Sequence, residues 1–294
     1  MESLQHARQW AICFGCAAPA VMLSLTLLAA PAVAQTAAAP PAPDSPVQDN
    51  SFLLEEAYNQ EAGVVQHISS VARFWTSKDW VYTFTQEWPL PRHSRHQLSF
   101  TAAAVRAGDF IGSGAGLGDI ALHYRYQLVG SGESRLAVAP RFSLLLPSGN
   151  PRLGRGSGGT GVQGGLPFSL ILHPRLATHV NLGVTHTPRA RNELNDRASL
   201  TAYNAAHSFV YEVHPRLNLM LETVWTNSAA VVSPGATQRF NDVLISPGFR
   251  WAHNFPSGLQ IVPGVAVPMG VGPSAGERGL LLYLSFEYTM WGQR

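Results

Sequence analysis

The chain has 294 residues, 13% of them charged and 46% hydrophobic, with a net charge of +2 and a mean hydropathy of +0.02. That balance is too polar for a bundle of membrane helices and too poor in charge for an ordinary soluble domain, and it points to no nucleic acid. A barrel with a lipid face and a wet lumen averages to such values.

The first 34 residues read as a cleaved secretory signal. Arg8 marks the basic start, Ala20–Ala30 the apolar core, and Ala32-Val33-Ala34 a small-x-small cleavage site. Cys13 and Cys16 fall in this segment, so the mature chain offers neither a disulfide nor a thiolate metal site. Residues 35–50 are Ala/Pro-rich and read as a disordered periplasmic linker. Residues 51–63 (SFLLEEAYNQEAG) fit a short amphipathic helix with Leu53, Leu54 and Ala57 on one side, placed at the periplasmic mouth or partly plugging it. A loose lead-in to the first strand fits them equally.

From Val64 to the C-terminus the chain alternates in twos. The clearest stretch is Gly116–Asn150. Ile120, Leu122, Tyr124, Tyr126 and Leu128 alternate with Asp119, Ala121, His123, Arg125 and Gln127; then Gly130–Ser134 turns the chain, and Leu136, Val138, Phe142, Leu144 and Leu146 continue the greasy face. Each strand is about ten residues, the length that crosses a bilayer at a tilt. Similar runs span 64–75, 80–90, 96–105, 117–129, 135–146, 162–173, 175–187, 199–214, 216–227, 240–253, 258–269 and 279–290. The expected fold is therefore all-β, a transmembrane antiparallel β-barrel of about twelve strands over residues 64–294.

The connections support this count, because short and long ones alternate as periplasmic turns and extracellular loops do. His173-Pro174-Arg175-Leu176 recurs as His214-Pro215-Arg216-Leu217 at two of the short ones. Only Thr76–Asp79 breaks the rule. The last strand (Leu282, Leu284, Phe286, Tyr288, Met290) suits recognition by the barrel-assembly machinery. Pro140, Pro167, Pro247 and Pro263 fall inside strands and call for bulges.

Phe52–Ile68, Trp80–Trp88, Gly116–Leu128 and Pro140–Gly149 resemble the family of outer-membrane transporters of the meta-pathway of phenol degradation. The resemblance runs from Phe52 to the C-terminus, in motif before Asn150 and in style after it. It implies passage of small aromatic or hydrophobic compounds across the outer membrane.

Other motifs offer competing readings. Gly154–Gly159 fits G-x-G-x-x-G but lies in a loop followed by a strand, so no dinucleotide fingerprint is expected. His67 and Ser69 share one strand face, as the nucleophile pair of a barrel acylhydrolase would, with Asn59 or Glu61 as conceivable orienting groups. The other reading places them as hydrogen-bonded lumen residues. The remaining histidines show no metal-ligand spacing, and no metal or cofactor is expected. Strand parity puts Arg73, Glu87, His123, Arg125, Arg141, Glu222, Arg250 and Glu287 on the lumen wall, because charge avoids lipid. They either knit the interior together or filter solutes. Arg125 and Arg141 should lie side by side, with Glu87, Glu222, Glu287 or an anionic solute facing them. Trp80, Trp88, Trp225, Trp251 and Tyr288 suit interfacial girdles, and Arg106, Arg152, Arg155, Arg189, Arg191 and Arg197 suit lipopolysaccharide phosphates. The sequence thus leads to a monomeric outer-membrane barrel giving passive passage to small molecules, in contact with outer-membrane lipid and lipopolysaccharide. The alternatives are a non-conducting structural or surface-interaction barrel and, behind it, a lipid acylhydrolase.

Overall fold

The computed structural model describes residues 49–91, 93–108, 114–132 and 134–290. The signal segment, the linker up to residue 48 and residues 291–294 lie outside them.

Twelve antiparallel strands close into a barrel. They are β1 (Val64–Phe74), β2 (Trp80–Leu90), β3 (His93–Arg106), β4 (Ile120–Tyr126), β5 (Arg141–Leu146), β6 (Gly161–His173), β7 (Leu176–Arg191), β8 (Arg197–His214), β9 (Leu217–Ser233), β10 (Ala236–Trp251), β11 (Gln260–Ala266) and β12 (Gly279–Thr289). Each pairs with the next, and β12 pairs with β1 along the full length of β1, from Val64↔Thr289 to Phe74↔Gly279. Closure leaves no long open edge to template other chains.

The prolines are absorbed as the ladder requires. Pro140 separates Leu136–Val138 from β5, and its carbonyl still accepts Tyr126 N–H at 3.0 Å. Pro247 and Pro263 stay in register opposite Leu221 and Leu284. The β10–β11 seam is the shortest one, with 248–250 on 264–266 and a separate contact of Leu244 and Ile245 with Gly270 and Met269. The repeated His-Pro-Arg-Leu turns share one device. His173 and His214 each use Nδ1 to accept the N–H of the arginine two residues on, at 3.3 and 3.2 Å.

Two expected outer loops are largely strand. β7 and β8 run on to Arg191 and Arg197, and β9 and β10 to Ser233 and Ala236, leaving tight turns. In the second of these Gly235 holds φ at 73°, a conformation glycine adopts without strain. The 147–160 connection is folded rather than loose. The Asp119 carboxylate accepts Gly149 N–H, Ser157 N–H and Ser157 Oγ–H at 2.7–3.0 Å. Arg155 reaches the Gly114 carbonyl. The glycine-rich run 154–159 therefore leads into β6, not into a helix.

The outer face is apolar. Leu122, Phe142, Leu166, Leu219, Leu221, Phe249 and Leu282 are all exposed. Aromatic residues pack toward the end that carries the short turns: Trp88 edge-on to Phe100, Tyr288 stacked on His67 and Trp251 stacked on His214, at centroid distances of 6.3, 5.6 and 6.2 Å. Amphipathic rings at such a level suit a membrane interface.

Candidate functional site

The lumen is where this barrel departs from an empty cylinder. The inward faces of the strands carry, near the short-turn end, one amide, hydroxyl or charged side chain after another: Gln66, Gln97, Gln127, Ser169, Asn181, Ser208, Glu222, Arg250 and Ser285, all buried. Side chains alternate across a strand, so one such residue per strand at a common depth makes a polar layer around the inside.

That layer grips the chain that precedes β1. The Asp49 carboxylate accepts Ser285 Oγ–H, Gln66 Nε2–H and Tyr283 O–H at 2.6, 2.6 and 2.8 Å. Leu53 N–H donates to Glu222, Glu55 N–H to Asn181, Ala57 N–H to Ser169, Asn59 N–H to Gln127 and Gln60 N–H to Gln97, at 2.7–3.1 Å. In return Asn181 donates to the Glu55 carbonyl and Gln127 to the Ala57 carbonyl. The partners lie on β12, β9, β7 and β6, just past the end of β4 and on β3 in succession, and Gln60 Nε2–H then reaches Gln66 on β1. Residues 49–60 therefore circle the inner wall almost completely before the chain enters the barrel.

This corrects two readings. No helix forms between 51 and 63, because its amides go to wall side chains instead of i−4 carbonyls. The linker does not extend to residue 50, since Asp49 is already buried inside the barrel. Burial raises the Asp49 carboxyl above the ordinary carboxylate range, against the pull of Arg250 and of its hydrogen bonds.

Charge closes the centre of the ring. Glu56 Oε1 takes Arg250 Nη1–H at 3.0 Å and Ser51 Oγ–H at 3.2 Å, and lies 3.7 Å from His179 Nε2. From the opposite wall Arg125 Nη1–H reaches the Glu56 carbonyl at 3.3 Å and Nη2–H the Tyr58 carbonyl at 2.6 Å. Arg250 also holds the carbonyls of Asp49 and Asn50. Side chains of β4 and β10 thus meet on one residue of the inner segment and bridge the lumen. Phe52 is the apolar anchor. It packs on Tyr283 at 5.0 Å between centroids, and its ring occupies the space beside Gly264, where a Cβ would sit 2.4 Å from Phe52 Cζ.

Arg125 and Arg141 are direct cross-strand neighbours, as expected. Like charges so placed repel unless an anion intervenes. Glu87 contributes, 3.7 Å from Arg125. The other anion is Glu55 of the inner segment, which pairs with Arg141 and lies 3.8 Å from Arg125. Glu222 instead holds Leu53 N–H, and Glu287 faces inward opposite Gln66.

Above the ring the lumen lining has a polar and an apolar side, with β2 and β3 contributing to both. On one, Thr85, Thr101, His123 and Ser143 form a hydrogen-bonded chain across four strands at 2.7, 3.0 and 2.7 Å. Arg141, Gln163 and Thr185 continue it at 3.1 and 2.9 Å. On the other side, Ala72, Phe74, Val81, Val105, Leu244, Ala266 and Leu281 form a buried apolar cluster reaching down to Phe52.

Seven of the eight expected lumen residues face inward: Glu87, His123, Arg125, Arg141, Glu222, Arg250 and Glu287. Arg73 does not. Its neighbours Ala72 and Phe74 are the buried inward residues of β1, so Arg73 shares the outer face with exposed Val71 and with its partner Leu280. His67 and Ser69 also face outward. His67 Nε2 contacts Tyr288 Oη at 3.2 Å, and Ser69 Oγ contacts Tyr82 Oη at 3.2 Å. The two residues share the outer face of β1 but are engaged separately, each with a different tyrosine rather than with one another. Sequence reasoning missed Asp49, Phe52, Glu55 and Glu56. The polar layer itself, one Gln, Asn, Ser or Glu per strand at matching distance from the short turns, was the available signal.

Solved structures with the same architecture are outer-membrane barrels. The COG4313 outer membrane channel from Pseudomonas putida F1 matches with a TM-score of 0.57 at 15% identity, over 79% of this chain and 98% of that one. A NanC porin structure matches with a TM-score of 0.51 at 10% identity, over 75% and 98%. The fold is that of an outer-membrane β-barrel. No protein-family model and no curated protein matches the chain. The resemblance to the phenol-degradation transporters therefore rests on its motifs alone.

Proposed function

We propose that this barrel is a gated conduit for passive passage of small molecules through the outer membrane, with residues 49–62 as the gate. The observation that carries the reading is the way the lumen is filled. The occupant is a segment held by side-chain hydrogen bonds and ion pairs from the wall, not a strand of the ladder. It can leave without breaking the barrel's backbone pairing, so its removal opens the path while the wall persists.

The polar and apolar sides favour solutes with an apolar face and a hydrogen-bonding edge. A ring lies against Phe74, Val81, Val105 and Leu281, while a hydroxyl or carboxylate meets the chain through His123 and Ser143. Small aromatic compounds have this form, in keeping with the motif resemblance. Liposome swelling tests the reading. With residues 49–62 deleted, phenol and benzoate should enter faster than an uncharged sugar of similar size. Equal rates, or no swelling with any solute, would reject it.

A further inference from the structure

We infer that Arg125 and Arg141 form a binding site for small organic carboxylates, and that in the closed barrel Glu55 occupies it as a built-in substitute for the solute. The inference deepens the conduit reading and rests on it for the site's accessibility from the lumen.

The two arginines are opposite each other on β4 and β5 and face inward. One carboxylate, that of Glu55, meets both: Oε1 contacts an Arg141 guanidinium nitrogen, and Oε2 lies 3.8 Å from Arg125 Nη1. A carboxylate set between two guanidiniums is the arrangement by which arginine pairs recognise free carboxylates. Three features mark this as a replaceable contact. Glu55 belongs to the inner segment, so the arginines lose their shared carboxylate when the segment withdraws. The Glu55 and Arg141 side chains keep 22% and 11% exposure while Arg125 keeps 3%, so the approach is open from the Arg141 side. On β6, Gly165 stands opposite Arg141, and a Cβ there would meet nothing closer than Arg141 Cβ at 4.0 Å. That leaves a niche for the body of a solute whose carboxylate takes the place of Glu55. Arg141 Nη2–H donates to Gln163 Oε1 at 3.1 Å, which orients the guanidinium.

Solute and Glu55 compete for one site, so carboxylate binding must shift the gate toward release, and release must strengthen carboxylate binding. The reciprocity is testable on the full chain. Sodium benzoate is the probe, with benzyl alcohol as the neutral analogue and sodium chloride matching ionic strength. Calorimetry on detergent-folded protein should show benzoate binding to Glu55→Gln at least about ten-fold more tightly than to native protein, a shift within the usual range of coupling between sites. Adding Arg141→Gln should abolish that binding. In planar bilayers benzoate should raise the open fraction of native protein several-fold over benzyl alcohol. Benzoate binding no better than benzyl alcohol in folded Glu55→Gln overturns the inference. If Glu55→Gln does not fold, native protein against Arg141→Gln decides it: equal benzoate affinity overturns it, and loss supports it. Benzoate binding with no conductance in any variant would reject the conduit but keep the site. Conductance in the segment-deleted barrel with no benzoate binding anywhere would do the reverse.

Discussion

Arg250 is among the largest fully buried side chains of the molecule, and it is tolerable there because Glu56 and two backbone carbonyls of the inner segment surround it. Removing one partner of such a pair leaves a buried charge uncompensated, at a cost of about 3–5 kcal/mol. Glu56→Ala should therefore release the inner segment while the barrel still assembles. Chymotrypsin should then cut at Phe52 and Tyr58 in folded protein, where the native segment resists; unchanged protection would show that the segment is held by other means. Gly264 tests the apolar anchor independently. Gly264→Val places atoms where the Phe52 ring lies, so it should raise the same chymotrypsin sensitivity with no change of charge. At this scale most of the lumen was legible, since alternation placed seven of the eight charged or histidine positions correctly. Arg73 was misplaced because β1 mixes polar and apolar residues on both faces, with Gln66 inward and Val71 outward. Its inward face carries Ile68, Ala72 and Phe74, part of the apolar lumen wall, while its outer face carries His67, Ser69 and Arg73.

Among the elements, β4 and β5 show the alternation most plainly, and their facing is open to a direct test. Leu122 lies on the outer face opposite Leu144, and Arg125 lies inside. Leu122→Arg should destabilise the folded barrel in lipid by about 2–4 kcal/mol if the residue sits near the midplane. Leu122→Met should be nearly neutral. Unfolding midpoints in urea with vesicle-reconstituted protein measure the difference, and equal midpoints would reverse the assigned faces. The strand positions were readable because the lipid imposes period two on every crossing. The extensions of β7–β10 were not, because past the membrane the outer face no longer needs to be apolar. Pro188 and the polar run 192–196 therefore read as loop, although the ladder continues through Arg191 and Arg197.

For the whole molecule, class and closure were written in the sequence as membrane-length strands of even number joined by short and long turns. The inner ring was not. Its contacts join residues 126 and 169 positions apart, as in Glu55 with Asn181 and Leu53 with Glu222. Nothing in the local pattern of residues 51–63 says that five of its amides will be taken by distant wall residues rather than by one another. On the proposed reading this ring, and not the wall, closes the barrel. Single-channel conductance in planar bilayers, comparing the native protein with the same chain lacking residues 49–62, tests it most directly. Brief or small openings are expected for the native protein, and a stable, several-fold larger conductance for the deleted form. Equal conductance in both, or none in a deleted form that is shown to be folded, would contradict it.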